Sequence, residues 1–284
     1  YLKKNTPHSH ILVVPSHRDA FTREGKNCVY EIKSPKLIGS NSYRMLISKK
    51  KILAAISKEC PDLIEVGDPY RAAWIGLRAA KDNKIPIVAF YHSDYPRALD
   101  RTLRKYVGTH IESLVSPLIR RYLIQLYNRM SATVVSSKRC EEALAEIGIQ
   151  NLKRIALGTN LETFTPQDSR YRILKELGLT PQCRLLLFVG RLAREKNIRS
   201  LFDMMDELET HSEEYHLLLI GDGEWRDEVR RKSRENRRIS WLHFCESSDR
   251  LADFYSAADL FVHAGGCETF GLVSLEAQAC GTRV

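Results

Sequence analysis

The chain has 284 residues, 43% of them hydrophobic, which is enough apolar content for two globular cores, and it carries a formal net charge of +9. Its apolar runs fall short of the about 18 residues that mark a bilayer-spanning helix, and its start lacks the basic, apolar and small-residue sections of a secretory signal, so a cytoplasmic enzyme is expected. The seven cysteines, at 28, 60, 140, 183, 245, 267 and 280, are scattered without a Cys-x-x-Cys pair, which argues against a disulfide framework and a zinc site.

In chain order, apolar periodicity predicts a strand over 11–14, a helix over 43–59, a strand over 62–66, a helix over 71–81 and a strand over 85–91. That last strand runs into His92-Ser93-Asp94, so His92 is expected at a strand's carboxyl end. Basic residues follow at Arg97, Arg101, Arg104 and Lys105. Beyond them Ile111, Leu114, Val115, Leu118, Ile119, Tyr122, Leu123 and Leu126 recur at spacings of three and four, an amphipathic helix whose stripe is expected in a core. Its second reading is a membrane-surface helix beside a basic stretch attracted to anionic lipid. A strand over 132–136, a helix over 140–147 and a strand over 152–156 complete a first domain, placed at 1–165.

The rhythm restarts in a second domain, placed at 166–284: strand 184–189, helix 196–210, strand 216–220, helix 224–236, strand 239–244, helix 249–257, strand 259–263 and helix 272–280. This alternation predicts the α/β class, two Rossmann-like, doubly wound, mostly parallel sheets covered by helices on both faces. Such sheets bind ligands at their strands' carboxyl ends, so an active site is expected in a cleft where the two domains face each other. The basic run between Arg226 and Arg238 is interleaved with Asp227, Glu228 and Glu235, a mixed, solvated helix face. No nucleic-acid-binding motif accompanies the charge, so no nucleic-acid partner is expected.

Three segments carry chemistry. Arg191 and Lys196, in the turn after the strand 184–189, emerge at its carboxyl end, where a guanidinium fork and a compact ammonium suit a diphosphate; the alternative is a solvated helix start formed by Arg191, Arg194, Glu195 and Lys196. Gly221-Asp222-Gly223 follows an apolar strand, and its glycines let the backbone approach a ligand, with Asp222 expected to cap the next helix. Last, Glu268 and Glu276 flank the start of a helix near Phe270, Gly271, Leu272 and Val273, whose unpaired N–H groups and partial positive charge can receive a diphosphate. The two carboxylates suit sugar or ribose hydroxyls, which donate in pairs. On spacing alone, a capping Glu268 and a solvated Glu276 fit equally well. Cys267 is expected to be an inert loop thiol, and His243 and His263 structural.

Read together, and with Leu157-Gly-Thr-Asn160-Leu-Glu-Thr-Phe164-Thr-Pro166 as a fourth segment, these blocks resemble the retaining glycosyltransferases of the GT-B fold, family 4 or glycosyl transferases group 1. The resemblance implies transfer of a glucose- or mannose-type hexose from a nucleoside-diphosphate sugar, such as UDP-glucose or GDP-mannose, to a hydroxyl of a glycan or lipid-linked acceptor. It implies a catalytic set of His92, Glu268, Arg191 and Lys196, with Arg191 and Lys196 on the pyrophosphate, Glu268 on donor-sugar hydroxyls, Glu276 on the ribose and His92 reaching the donor sugar. Backbone groups near Cys245 would meet the base. No Asp-x-Asp pair is suited to bridging a metal to phosphates, so neither a metal nor another cofactor is expected. No carboxylate is placed as a nucleophile, so a front-face displacement is expected. A lipid-linked acceptor would bring the enzyme peripherally to the inner face of the membrane.

The family pattern is also departed from. Its opening strand and Gly-Gly loop are missing ahead of Tyr1-Leu-Lys-Lys, the chain stops at Gly281-Thr-Arg-Val284, and Arg283 stands where proline is usual. The chain therefore reads as a fragment at both ends. Two other classes share the architecture: a non-catalytic nucleotide-sugar or carbohydrate-binding module, and a nucleotide-sugar epimerase, which would turn over donor without an acceptor.

Overall fold

The computed structural model describes residues 7–36, 43–93, 109–210, 214–266 and 270–284, with side chains from 115 onward in the helix that begins at Thr109. The chain divides into two compact units, Tyr1–Ala156 and Leu157–Val284.

The first unit opens with β1 (Ile11–Ser16), β2 (Ala20–Glu24) and β3 (Asn27–Lys33), in the order β1-β3-β2. Only the first of these was expected. The other two form a hairpin around Gly25-Lys26, with Gly25 at φ 58° as the first of two loop residues, a turn that glycine makes without strain. The signal was present: Glu24-Gly25-Lys26-Asn27 separates two short alternating runs. Next comes α1 (Lys49–Glu59), which begins later than the expected residue 43. Residues 43–48 run extended instead, with Arg44 bridged to Lys36 and the Met45 N–H donating to the Pro35 carbonyl at 3.0 Å.

A four-stranded parallel sheet follows in the order β4-β5-β6-β7, from β4 (Ile64–Val66), β5 (Ile87–Tyr91), β6 (Ala132–Val135) and β7 (Leu152–Arg154). It packs with α2 (Arg71–Asn83), α3 (Thr109–Tyr127) and α4 (Lys138–Glu146) over a core that includes Ala73, Ala89, Leu123, Leu126, Val135 and Leu144. The stripe on α3 is not all core, as had been expected. Leu123 and Leu126 are buried, but Leu118 is 65% exposed, and Tyr122, 37% exposed, accepts from the Trp74 indole at 2.9 Å and donates to the Pro69 carbonyl.

The second unit contains α5 (Arg170–Glu176), β8 (Arg184–Val189), α6 (Ile198–Leu208), β9 (Tyr215–Ile220), α7 (Arg226–Glu235), β10 (Ile239–Leu242), α8 (Ser248–Ala257), β11 (Leu260–Phe261) and α9 (Leu272–Ala279). Its strands are all parallel, in the order β10-β9-β8-β11. Successive residues of β8 and β9 alternate between two cores: Leu185, Leu187, Leu218 and Ile220 face one, and Leu186, Phe188, Leu217 and Leu219 the other. Both faces of the sheet are thus covered, which is why these strands read as continuous apolar runs. The strand order reverses between β8 and β11, the point where a parallel sheet opens a crevice at its carboxyl edge.

The helix expected over 196–210 is broken. A 3-10 turn at Arg194–Lys196 ends in Asn197 at φ 50°, and α6 starts only after it. Asparagine tolerates this left-handed geometry, and its amide donates to Ser200 Oγ at 2.6 Å. On α7, Arg231 lies between Glu228 and Glu235, at 2.6 and 2.5 Å, within the mixed face read from the sequence.

The start of the second unit was not legible as structure. Phe164 is only 7% exposed and packs edge-on against Tyr255 at 6.0 Å, so the unit begins ahead of the expected boundary at 165. From α5, Arg170 donates to the Ala257 carbonyl at 2.8 Å, to Asp259 Oδ2 at 2.8 Å and to the Cys183 carbonyl at 2.9 Å. Arg170→Ala strips three bonds from this junction and leaves Asp259 facing Arg184 alone among its ion-pair partners; it should destabilise the second unit by about 2 kcal/mol, read by urea unfolding. No helix among the described residues is long and apolar enough to cross a membrane.

Candidate functional site

In the second unit, the loops after β8 and β9 interlock through backbone. Gly190 N–H donates to the Ile220 carbonyl at 3.0 Å, Leu192 N–H to the Asp222 carbonyl at 2.9 Å, and Trp225 N–H to the Leu192 carbonyl at 3.0 Å. A methyl group at Gly221 would lie 1.9 Å from the Gly190 oxygen, and one at Gly223 2.4 Å from the Leu192 oxygen. These glycines are therefore required by the approach of one loop to the other, a closer reason than the ligand approach expected. Asp222 does not cap α7. Its carboxylate faces His243 Nε2 at 3.1 Å, and α7 has no side-chain cap, so His243 belongs to a pair bridging the loops after β9 and β10.

The loop after β8 carries the two expected cations. Arg191 is exposed and pairs with Glu195 at 2.7 Å. Lys196 is half-buried in the 3-10 turn, and the loop after β11 lies against it: a methyl group at Gly265 would be 3.3 Å from Lys196 Cα and 3.1 Å from the Glu195 carbonyl oxygen. Lys196 thus stands at the edge of the crevice between β8 and β11. Glu224, just after the Gly223 turn, accepts the Arg194 N–H at 2.8 Å and holds the 3-10 turn from the other side.

The chain re-enters at Phe270, which is half-buried, and Gly271, at φ 87°, starts α9. Among the described residues no side chain caps this end, whose first N–H groups, at Leu272 and Val273, lack partners within the helix. Glu276 is not the solvated residue of the alternative reading. It is half-buried and accepts the Tyr255 hydroxyl at Oε2, 3.0 Å away; burial pushes its carboxyl above the usual range, while that hydrogen bond opposes the rise. Sequence reasoning missed Tyr255, which lies on α8 and is fully buried, and nothing in the pattern pairs it with a glutamate on another helix. Cys267 and Glu268 lie outside the described residues, as do Arg97, Arg101, Arg104 and Lys105.

In the first unit, His92 follows β5, exposed, with Nδ1 3.4 Å from the Phe90 carbonyl oxygen and its ring stacked on Phe90 at 6.1 Å. A methyl group at Gly67, just after β4, would be 3.8 Å from His92 Cε1, which places the ring at the carboxyl edge of this unit's parallel sheet.

Comparison with known proteins agrees along the chain. Residues 170–284 match the family model Glycosyl transferases group 1, and residues 2–163 match Glycosyltransferase Family 4. A GDP-mannose-dependent alpha-mannosyltransferase of Mycobacterium tuberculosis is 29% identical over 82% of this chain and 57% of its own length. The alpha-monoglucosyldiacylglycerol synthase of Streptococcus pneumoniae is 25% identical over 78% of this chain and 51% of its own. The chain thus spans between about half and three fifths of the length of these curated relatives. Among solved structures, Anabaena Alr3699/HepE in complex with UDP and glucose superposes with a TM-score of 0.65 at 21% identity, over 82% of this chain and 60% of that one, a likeness of fold. Parallel sheets with a strand-order reversal, the interlocked glycine loops and two family models that between them take in both units lead to one assignment: the chain belongs to glycosyltransferase family 4 and has its GT-B fold.

Proposed function

We propose that the protein is a retaining hexosyltransferase that moves a glucose- or mannose-type sugar from a nucleoside-diphosphate donor to a hydroxyl of a glycan or lipid-linked acceptor, without a metal ion. The observation that carries this reading is the rim of the second unit, where the Lys196 turn abuts the Gly265 loop and the start of α9, at Gly271, follows shortly along the chain. A diphosphate seated there would meet Lys196, the N–H groups of Leu272 and Val273, and Arg191, which would exchange its Glu195 partner for phosphate. These groups oppose the charge that grows on the leaving diphosphate, the role a metal would otherwise fill. Glu276 accepts from the ribose, Glu268 from donor-sugar hydroxyls, and Gly223 shapes the turn after β9. His92, at the carboxyl edge of its own unit's sheet, is assigned to the donor sugar by the family resemblance alone. A relative named for GDP-mannose and an alpha product supports retention, since the sugar in that donor is itself alpha-linked. A peripheral station on the inner membrane face accords with a relative named as a glycolipid synthase.

Calorimetric titration with UDP, GDP, ADP and their sugar conjugates in chelator tests this. One nucleotide series should bind saturably, and Glu276→Ala should weaken it about 10- to 100-fold, the loss of one or two hydrogen bonds to a charged acceptor. Donor turnover should then require an acceptor. Binding restored only by a divalent cation would refute metal independence, and turnover without acceptor would favour an epimerase.

A further inference from the structure

We propose that Tyr255 is a positioning residue for nucleotide recognition: its hydroxyl aims the Glu276 carboxylate at the ligand. The inference rests on the reading of Glu276 as the ribose acceptor. Tyr255 is fully buried, and its ring is fixed between Phe164, edge-on at 6.0 Å, and Phe261, tilted at 5.8 Å. Its own carbonyl takes the Thr282 hydroxyl, so both ends of the residue are held. From this anchor the phenol crosses from α8 to α9 and donates to Glu276 Oε2 at 3.0 Å.

A glutamate side chain has three rotatable bonds, and a half-buried one without a donor would either swing outward or take up a proton. The Tyr255 bond removes both options for one oxygen and leaves Oε1 to accept from a ligand. Among the described residues, the titratable groups coupled to it are the Tyr255 phenol from α8 and the buried Cys280 thiol just past α9, while the α8 cation Arg250 pairs with Glu176 and Asp253 instead. The phenol is therefore the group that favours the ionised carboxylate against burial. Its burial also pushes its own pKa up, so it stays a donor throughout the useful pH range.

The test uses the full chain. Tyr255→Phe should weaken binding of the nucleotide series identified above about five- to twenty-fold, less than the outright loss of a hydrogen bond to a charged group because Glu276 still meets the ligand, and leave inorganic pyrophosphate binding unchanged. Because the phenol lowers the Glu276 pKa, its removal should move the acid limb of nucleotide binding to higher pH. Tyr255→Phe combined with Glu276→Gln should bind no worse than Glu276→Gln alone. Should Tyr255→Phe fail to fold, 3-fluorotyrosine placed at 255, a stronger donor, should move the acid limb to lower pH. Wild-type nucleotide affinity in Tyr255→Phe, an equal loss of pyrophosphate binding, or an unmoved acid limb with 3-fluorotyrosine would overturn the inference. Wild-type affinity in Glu276→Gln would instead remove the ribose reading on which it stands.

Discussion

Gly221→Ala should destabilise the second unit by about 3–5 kcal/mol and abolish nucleotide binding with it. The added methyl group would sit 1.9 Å from the Gly190 carbonyl oxygen, so the two loops must part by more than an ångström on the order of a normal contact distance. They cannot part freely. Gly190 N–H is bonded to the Ile220 carbonyl at 3.0 Å and Gly221 N–H to the Leu242 carbonyl at 3.0 Å, which ties this stretch to β9 on one side and to the end of β10 on the other. At least one of these bonds breaks, and the crevice edge that carries Arg191 and Lys196 moves with it. Gly25→Ala makes the comparison: its φ of 58° is also positive, though nearer the left-handed helical well than the 149° of Gly221, and a methyl group there meets nothing within 4 Å. It should cost only about 1 kcal/mol, the left-handed penalty alone. Urea unfolding of the two variants decides the point. Equal losses would mean that the interlocked loops relax and that close approach is not why glycine stands at 221.

Acidification should remove about 3 kcal/mol of stability through one histidine. His216, on β9, is 3% exposed and bonded through Nε2 to Ser240 Oγ at 2.8 Å; burial pushes its pKa down from 6.5 to about 4, with Glu214 opposing. The folded pKa is depressed, so the unfolded chain binds the proton first. The contribution is therefore intact above pH 6.5 and is lost progressively as pH falls toward about 4. Urea unfolding at pH 7 and at pH 4, compared between the wild type and His216→Leu, isolates it from the carboxylates that titrate in the same range. The variant should lose less stability than the wild type over this interval. Parallel losses would mean that His216 is solvated or paired when charged.

Much of the second unit was legible because its strands are buried on both faces and its helices are amphipathic, so that the pattern changes sharply at every β–α boundary. What escaped depended on single residues acting against that pattern. Asn197 breaks a run whose apolar spacing continues through it, and the hairpin around Gly25 lies in strands too short and too polar to stand out. At the candidate site, the strand-end positions of Arg191, Lys196 and His92 followed from strand prediction, since a residue after a parallel strand must emerge at its carboxyl edge. The environment of Glu276 did not. Its half-burial depends on a tyrosine one helix and one strand earlier, and spacing along one helix carries no information about a partner on another. The pairing of Asp222 with His243 escaped for the same reason, because a cap is a local expectation and a contact between two loops is not.

Phe164 has a consequence for dividing the chain. Its ring closes the wall of the second unit's core against Tyr255, and Pro166, two residues on, lies 3.6 Å from the position a methyl group would take on Gly281. The segment from Leu157 to Pro166 is thus an integral edge of the second unit and not a tether that can be discarded. Any attempt to obtain the second unit alone must cut ahead of Leu157. A piece begun at 166 would expose the flank of Tyr255 to water and so loosen the phenol bonded to Glu276, even with Arg191, Lys196 and Glu276 still in place.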